Sequence, residues 1–124
     1  MTPASVATPR QSGPPVHELS ITQRIVDTVT HHADGSRVLA VQLSVGRLSG
    51  VVPGAVRFCF DLLAEGTPLE GARLDIEEPA GLAHCAGCGS DFTLTELVLL
   101  CACGSADVEV RVGRELRITS LEVA

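Results

Sequence analysis

Four of the chain's five cysteines form two closely spaced pairs, Cys85 with Cys88 and Cys101 with Cys103. Glycine follows each pair, so that backbone amides can turn toward the sulfurs. Four thiolates are the donor set of a tetrahedral Zn²⁺ site, in which each Zn–S bond is about 2.3 Å long. Because the protein occupies every position of such a site, the metal supports structure and not catalysis. We therefore predict that these four cysteines bind one structural Zn²⁺ ion.

The second cysteine pair has one intervening residue instead of the usual two, so its sulfurs can converge only through a turn. His84, which is next to Cys85, is therefore an alternative fourth ligand. A redox-active dithiol and cysteines without metal are further alternatives. The fifth cysteine, Cys59, falls on the apolar face of a predicted helix and is interpreted as a small buried hydrophobic residue.

Two helices are predicted from the spacing of apolar residues. Ser20 and Gln23 have the form of a capping box, which predicts that the first helix starts at Ser20 and ends near His32. Pro53 suits the first turn of a second helix, and Gly66 suits its end.

Three strands are predicted from the alternation of apolar and polar residues. The first strand, residues 37–45, is expected to be half-buried, with Leu39 on its apolar side. The second strand spans residues 72–77, and the third begins at Leu116. The sequence leaves open whether these strands pair in parallel or antiparallel.

These elements predict an α+β fold: a small sheet with two helices on one face, plus an inserted zinc-ribbon-like module between the second and third strands. Residues 1–16, which are rich in proline, are predicted to be a disordered extension. Residues 17–79 and 110–124 form the predicted α+β domain, and residues 80–109 form the predicted zinc-binding module. The module has few large apolar residues, so metal binding is expected to supply part of its folding free energy.

Acidic residues outnumber basic residues by 15 to 9, which gives a net charge of −6, and residues 80–109 contain no Arg or Lys. This charge is unsuited to binding nucleic acid or an acidic membrane. No apolar run approaches the length of about 18 residues that is needed to cross a bilayer, and residues 1–16 lack the apolar stretch of a secretory signal. A cytoplasmic protein that binds neither nucleic acid nor membrane is expected.

Four segments of the sequence occur in a specific order: HELS at residues 17–20, VGRLSG at residues 45–50, FCFDLL at residues 58–63 and, after the cysteine pairs, ELRITSLEV at residues 115–123. In this order the chain resembles the HypA/HybF family of hydrogenase nickel incorporation proteins over residues 17–124. The resemblance implies a nickel metallochaperone, not an enzyme, which delivers Ni²⁺ during the assembly of [NiFe]-hydrogenase. It also implies a HypB-type GTPase and the hydrogenase large subunit as partners.

The same resemblance implies a nickel site at the N-terminus, with His17 and Glu18 at the positions that bind nickel in the family. Imidazole is a good ligand for Ni²⁺, and mixed nitrogen and oxygen donors suit this ion. His17 is expected to bind through its side chain, and Glu18 through its backbone or by supporting the site. Residues 17–79 with 110–124 are then the nickel-binding domain, separate from the structural zinc.

The histidine of the family directly follows the initiator Met, whereas His17 follows Val16 and fifteen further residues. A free amine beside the histidine is therefore missing if translation starts at Met1. Abundant Ala, Gly and Val, with basic residues that are all Arg, indicate a GC-rich gene, in which GUG can serve as a start codon. We hypothesise that translation starts at Val16.

The main alternative function is a zinc-ribbon adaptor that binds other proteins and delivers no nickel. A second, weaker and exchangeable Ni²⁺ site distinguishes the metallochaperone from this adaptor. The family also serves urease assembly, so the sequence leaves open the recipient enzyme, and it leaves open the oligomeric state.

Overall fold

The computed structural model describes residues 16–124, and for Val16 it describes the backbone alone. The predicted disordered extension, apart from Val16, lies outside the described residues. Within the described residues, two helices and six strands follow one another: α1 (Val16–Ala33), β1 (Val38–Val45), α2 (Pro53–Leu63), β2 (Arg73–Glu77), β3 (Gly81–Cys85), β4 (Asp91–Leu94), β5 (Val108–Val112) and β6 (Leu116–Val123). This architecture confirms the predicted α+β fold.

Helix α1 begins about one turn earlier than the capping box predicts. The side chain of Gln23 does not reach back toward Ser20, because its Nε2 donates a hydrogen bond to Asp27 Oδ1 at 2.8 Å. His17 and Glu18 were expected just ahead of the helix, but they lie within its first turn. A negative charge near the start of a helix is stabilised by the helix dipole, which favours Glu18 in this turn.

The two helices belong to one compact unit, which comprises the described residues up to Leu39, together with Val52–Ala72 and Val123–Ala124. Helix α2 begins at Pro53, as predicted, since proline suits the first turn of a helix. The apolar residues of the two helices are spaced three and four apart and are buried: Ile25, Val26 and Val29 in α1, and Val56, Cys59 and Phe60 in α2. These residues form the core of the helical unit.

The second compact unit, Ala40–Val51 with Arg73–Glu122, contains the second sheet and all of the first sheet except the start of β1 and the last residue of β6. In the first sheet the strand order is β2-β1-β6, and β1 and β2 are parallel. Strand β1 was predicted to be half-buried with Leu39 inside, and this is wrong, because Leu39 is 48% exposed and consecutive residues such as Leu43 and Ser44 are buried. A central strand that is covered on both faces does not show a simple alternation of burial.

The second sheet has the order β4-β3-β5, and both neighbours of β3 are antiparallel to it. Strand β5 extends to Val112, so the predicted end of the module at residue 109 falls inside a strand. A small core lies beside this sheet, formed by Leu48, Ala83 and Leu94, with Phe92, Val108 and Val110 packed against it. The division into a nickel-binding range and a zinc-binding range stays a prediction, since the compact unit groups β1, β2 and β6 with the second sheet.

Candidate metal centre

The first cysteine pair is held by a tight turn at the end of β3. The backbone amide of Cys85 donates to the carbonyl of Ser90 at 2.8 Å, and the amide of Gly89 donates to the carbonyl of Cys85 at 2.8 Å. Gly89 has a φ of 78°, a left-handed conformation that favours glycine. The glycine after Cys88 is therefore what allows the chain to fold back.

The second cysteine pair is held by a turn of the same kind, although it is one residue shorter. The amide of Cys101 donates to the carbonyl of Ser105 at 2.9 Å, and the amide of Gly104 donates to the carbonyl of Cys101 at 2.9 Å. Gly104 also has a positive φ, of 95°. A Cys-x-Cys pair can therefore present both sulfurs on one side, which the spacing in the sequence does not decide.

The two turns bring all four sulfurs together. The Sγ atoms of Cys85 and Cys103 are 3.7 Å apart, and those of Cys88 and Cys101 are 3.6 Å apart. All four ligand atoms lie within 4.8 Å of one another. A tetrahedron with metal–sulfur bonds of about 2.3 Å has sulfur–sulfur edges of about 3.8 Å. The spacing of the sulfurs therefore fits one tetrahedral ion at their centre.

The ionisation of these thiols depends on their close contact. Hydrogen bonds from the hydroxyl and the backbone amide of Ser90 lower the pKa of Cys88 to about 6. The amide of Cys103 lowers the pKa of Cys101, but burial and hydrogen bonds to the neighbouring thiols outweigh it and raise this pKa to about 12. Four thiolates at this distance repel one another, so a cation is needed for all four to ionise together. A divalent cation supplies that charge, and this favours the cluster as a metal site.

His84 lies outside the group of clustered ligand atoms. It faces Asp91 across the β3–β4 pair, and its Nδ1 is 2.6 Å from Asp91 Oδ1. The geometry therefore favours Cys103, and not His84, as the fourth ligand.

The two residues predicted to form the nickel site have opposite environments. His17 is exposed in the first turn of α1, whereas Glu18 is only 5% exposed. The Oε2 atom of Glu18 accepts a hydrogen bond of 3.1 Å from the backbone amide of Val52. Within residues 16–124, the four cysteines are the only group of three or more potential metal ligands with closely placed ligand atoms. No preformed cluster therefore surrounds His17 in this part of the chain.

Cys59 is buried on α2, as predicted, with 2% exposure. Burial raises the pKa of its thiol, and the negative charge of Glu18 raises it further. The thiol form is thus favoured over the thiolate, which agrees with a packing role and not with a nucleophile.

The serines of the two cysteine turns, Ser90 and Ser105, were not predicted from the sequence. Ser90 contacts the Cys88 sulfur at 3.3 Å, and the Ser105 hydroxyl accepts a hydrogen bond of 3.1 Å from the amide of Asp107. The sequence does carry a signal for these serines, because the dipeptide Gly-Ser follows both cysteine pairs. This repeat reflects the shared form of the two turns.

No helix among residues 16–124 combines the length and the apolar character that crossing a membrane requires.

Residues 16–124 thus form a small α+β protein in which four cysteines, spaced to hold a metal ion, lie beside a ribbon of short strands made of β3, β4 and β5. The sequence model of one family, described as hydrogenase/urease nickel incorporation, metallochaperone, hypA, matches residues 16–123. The chain therefore belongs to the HypA family, which confirms the resemblance found in the sequence. This is a family of metallochaperones and not of catalytic enzymes.

Relatives in the same family share nearly half of their residues with this chain. The hydrogenase maturation factor HypA of Nostoc sp. is 47% identical over 108 residues, which cover 87% of this chain and 96% of the relative. The hydrogenase maturation factor HypA of Geotalea uraniireducens is 48% identical over 109 residues, which cover 87% of this chain and 99% of the relative.

Solved structures have the same fold. The solution structure of the Ni metallochaperone HypA from Helicobacter pylori matches with a TM-score of 0.61 and 24% identity, covering 86% of this chain and 96% of that chain. A further solution structure of a HypA protein matches with a TM-score of 0.64 and 24% identity, covering 90% of this chain and 98% of the other.

Proposed function

We propose that this protein is a nickel metallochaperone that binds Ni²⁺ at its His17-Glu18 segment and delivers it during the maturation of [NiFe]-hydrogenase. The match of the HypA family over residues 16–123 is the observation that carries this proposal. The names of the relatives, which are hydrogenase maturation factors, support hydrogenase as the recipient.

The four-cysteine cluster holds a structural Zn²⁺ ion in this proposal. Its donors are Cys85, Cys88, Cys101 and Cys103, and four soft thiolates in tetrahedral spacing suit zinc. With four protein ligands no position remains for a substrate, so the ion stabilises the ribbon. The small apolar core of the second sheet supports this role, because metal binding adds folding free energy that such a core lacks.

Nickel binds more loosely at the other end of the protein. The exposed imidazole of His17 is one donor. Backbone nitrogens of the first turn of α1 are others once their N–H protons are released to solvent, and the helix does not lose an internal hydrogen bond, since its first four N–H groups have no acceptor within it. The carboxylate of Glu18 already accepts a hydrogen bond from Val52. An exposed site with few side-chain ligands can release its ion, and a delivery protein must do so.

The partners in this proposal are a HypB-type GTPase and the large subunit of [NiFe]-hydrogenase, and the protein acts in the cytoplasm. Neither nucleic acid nor membrane is a partner, which agrees with the net charge of −6. The family description also names urease, so urease is the other recipient to be tested.

Metal titration of the full chain tests this function. The dialysed protein is expected to retain one equivalent of zinc and to bind a second, exchangeable equivalent of Ni²⁺, measured by elemental analysis and calorimetry. His17→Ala is expected to abolish nickel binding and to leave the zinc content unchanged, because the two sites use different ligands. His31→Ala is the matched control, since His31 is also an exposed histidine of α1. Unchanged nickel binding in His17→Ala contradicts the proposal.

One observation favours the adaptor as a second candidate function. Four consecutive apolar residues between β4 and Cys101 are exposed: Leu97, Val98, Leu99 and Leu100. Exposed apolar patches are common at protein-binding surfaces. A protein that retains zinc, fails to bind nickel and still binds a partner through this segment is an adaptor.

A further inference from the structure

Glu18 is buried, although its neighbours in the first turn of α1 are not. It is 5% exposed, whereas Leu19 is 41% exposed and His17 is also exposed. A buried carboxylate is costly unless hydrogen bonds replace its contacts with water. The burial of Glu18 therefore needs a specific partner within the fold.

That partner is the start of α2. Glu18 Oε2 accepts the hydrogen bond from the amide of Val52, the residue that precedes the first turn of α2 and is 34 residues away in sequence. No side chain of Val52 caps α2, since valine has no polar group. The negative charge of Glu18 thus lies at the positive end of the α2 dipole, where an anion is stabilised.

This contact joins the first turn of α1 to the N-terminus of α2. Successive residues of a helix point about 100° apart around its axis, so a turn fixed through Glu18 directs His17 away from this contact. The backbone of His17 and of the residues beside it is then held in the helical conformation. Without the contact, the first turn of a helix frays readily.

We infer that Glu18 is a positioning residue, whose buried carboxylate fixes the first turn of α1 to the start of α2 and thereby orders His17 and the adjacent backbone for nickel. This inference rests on the proposed nickel function. The carboxylate of Glu18 holds the first turn of α1 in place, and its oxygens do not coordinate the nickel ion.

Two substitutions at Glu18 separate positioning from ligation. Glu18→Gln keeps an oxygen that can accept the Val52 amide, whereas Glu18→Ala removes it. In the zinc-loaded, nickel-free full chain, the Val52 amide is expected to exchange with solvent about tenfold faster in Glu18→Ala and within about threefold of the native rate in Glu18→Gln. Nickel affinity, measured by calorimetry, is expected to fall about tenfold in Glu18→Ala and to fall less in Glu18→Gln.

Glu70→Ala is the matched control, because the Oε1 atom of Glu70 also accepts a backbone hydrogen bond, from Gly66 at 3.3 Å, but at an exposed position. Glu70→Ala is expected to leave the exchange rate of the Val52 amide and the nickel affinity unchanged.

If Glu18→Ala fails to fold, a second variant tests the same contact. Val52→Pro removes the hydrogen-bond donor and leaves the carboxylate of Glu18 in place, and the same loss of nickel affinity is expected.

Two results overturn the inference. One is an equal loss of nickel affinity in Glu18→Gln and Glu18→Ala with normal protection of the Val52 amide, which shows that the carboxylate acts on the ion directly. The other is an unchanged exchange rate and nickel affinity in Glu18→Ala. Failure of the proposed function is a different result, namely nickel binding that survives His17→Ala, and the exchange of Val52 in nickel-free protein tests the contact independently of it.

Discussion

Glycine and serine after each cysteine pair determine how the sulfurs are presented. Gly89 and Gly104 adopt positive φ values of 78° and 95°, and each donates its amide to the carbonyl of the first cysteine of its pair. Because of these two turns, Cys101 and Cys103, which have one intervening residue, present their sulfurs as Cys85 and Cys88 do, which have two. The sequence predicted the four cysteines correctly as a group, but the convergence of Cys103 depends on backbone conformation that the spacing alone does not specify.

We predict different outcomes for substitutions of Cys103 and of His84. Cys103→Ser is expected to lower zinc affinity by at least about 100-fold, because one of the four ligands is lost. Substitution of a residue that only supports a ligand already lowers metal affinity by up to about 100-fold. His84→Ala is expected to retain zinc far better, since His84 lies outside the cluster of ligand atoms that the four cysteines form. Competition with a chromogenic chelator measures both affinities, and a larger loss in His84→Ala contradicts the assignment of Cys103 as the fourth ligand.

Three glycines lie where the loop after β1 meets the start of β3 and the segment after β5: Gly46, Gly81 and Gly113. A Cβ atom added to Gly46 would overlap the backbone of Gly113, and one added to Gly81 would overlap the side chain of Leu48. The amide of Leu48 donates to the carbonyl of Gly113 at 2.8 Å, which ties the loop to the segment after β5. Glycine is needed here for close approach of the backbone, and not only for a turn.

We therefore predict that Gly113→Ala destabilises the protein by about 2 kcal/mol or more, because its φ of 115° disfavours a side chain and its Cβ would lie 2.5 Å from the Cα of Gly81. Gly54→Ala is the control, since it lies in α2 with nothing within 4 Å of the added atom. This control is expected to be neutral or slightly stabilising, as alanine favours helix. Urea unfolding of the zinc-loaded proteins measures both, and equal stabilities show that the close approach is unimportant.

Among residues 16–124, the apolar packing of the helical unit differs from the packing beside the second sheet. The helical unit buries apolar residues from both helices, including Ile25, Val29 and Phe60. The core beside the second sheet has three buried residues, one of which is alanine. Metal is therefore expected to matter more for the ribbon than for the helices.

Removal of zinc by a strong chelator under reducing conditions tests this difference. We expect the amides of β3, β4 and β5 to lose protection from hydrogen exchange, while those in the middle of α1 and α2 keep most of theirs, because metal binding contributes directly to the stability of the ribbon. Restoring one equivalent of zinc is the control and should restore protection. Continued protection of β3 in the metal-free protein shows that zinc is not structural.

Local patterns in the sequence determined a large part of this protein. The α+β class, the start of α2 at Pro53, the burial of Cys59, the four clustered cysteines and the family all follow from spacing, turn residues and short motifs that act over a few positions. Such features depend on neighbouring residues, so they can be derived from the order of amino acids.

Tertiary structure alone decided the remaining features, because they depend on contacts between distant parts of the chain. Helix α1 starts a turn early, where Glu18 contacts Val52 across 34 residues. Leu39 is exposed although its apolar character predicted burial, whereas Leu43, Ser44 and Val45 of the same strand are all buried. Burial and hydrogen bonding of this kind depend on which segments meet in space, and a pattern of neighbours does not carry that information.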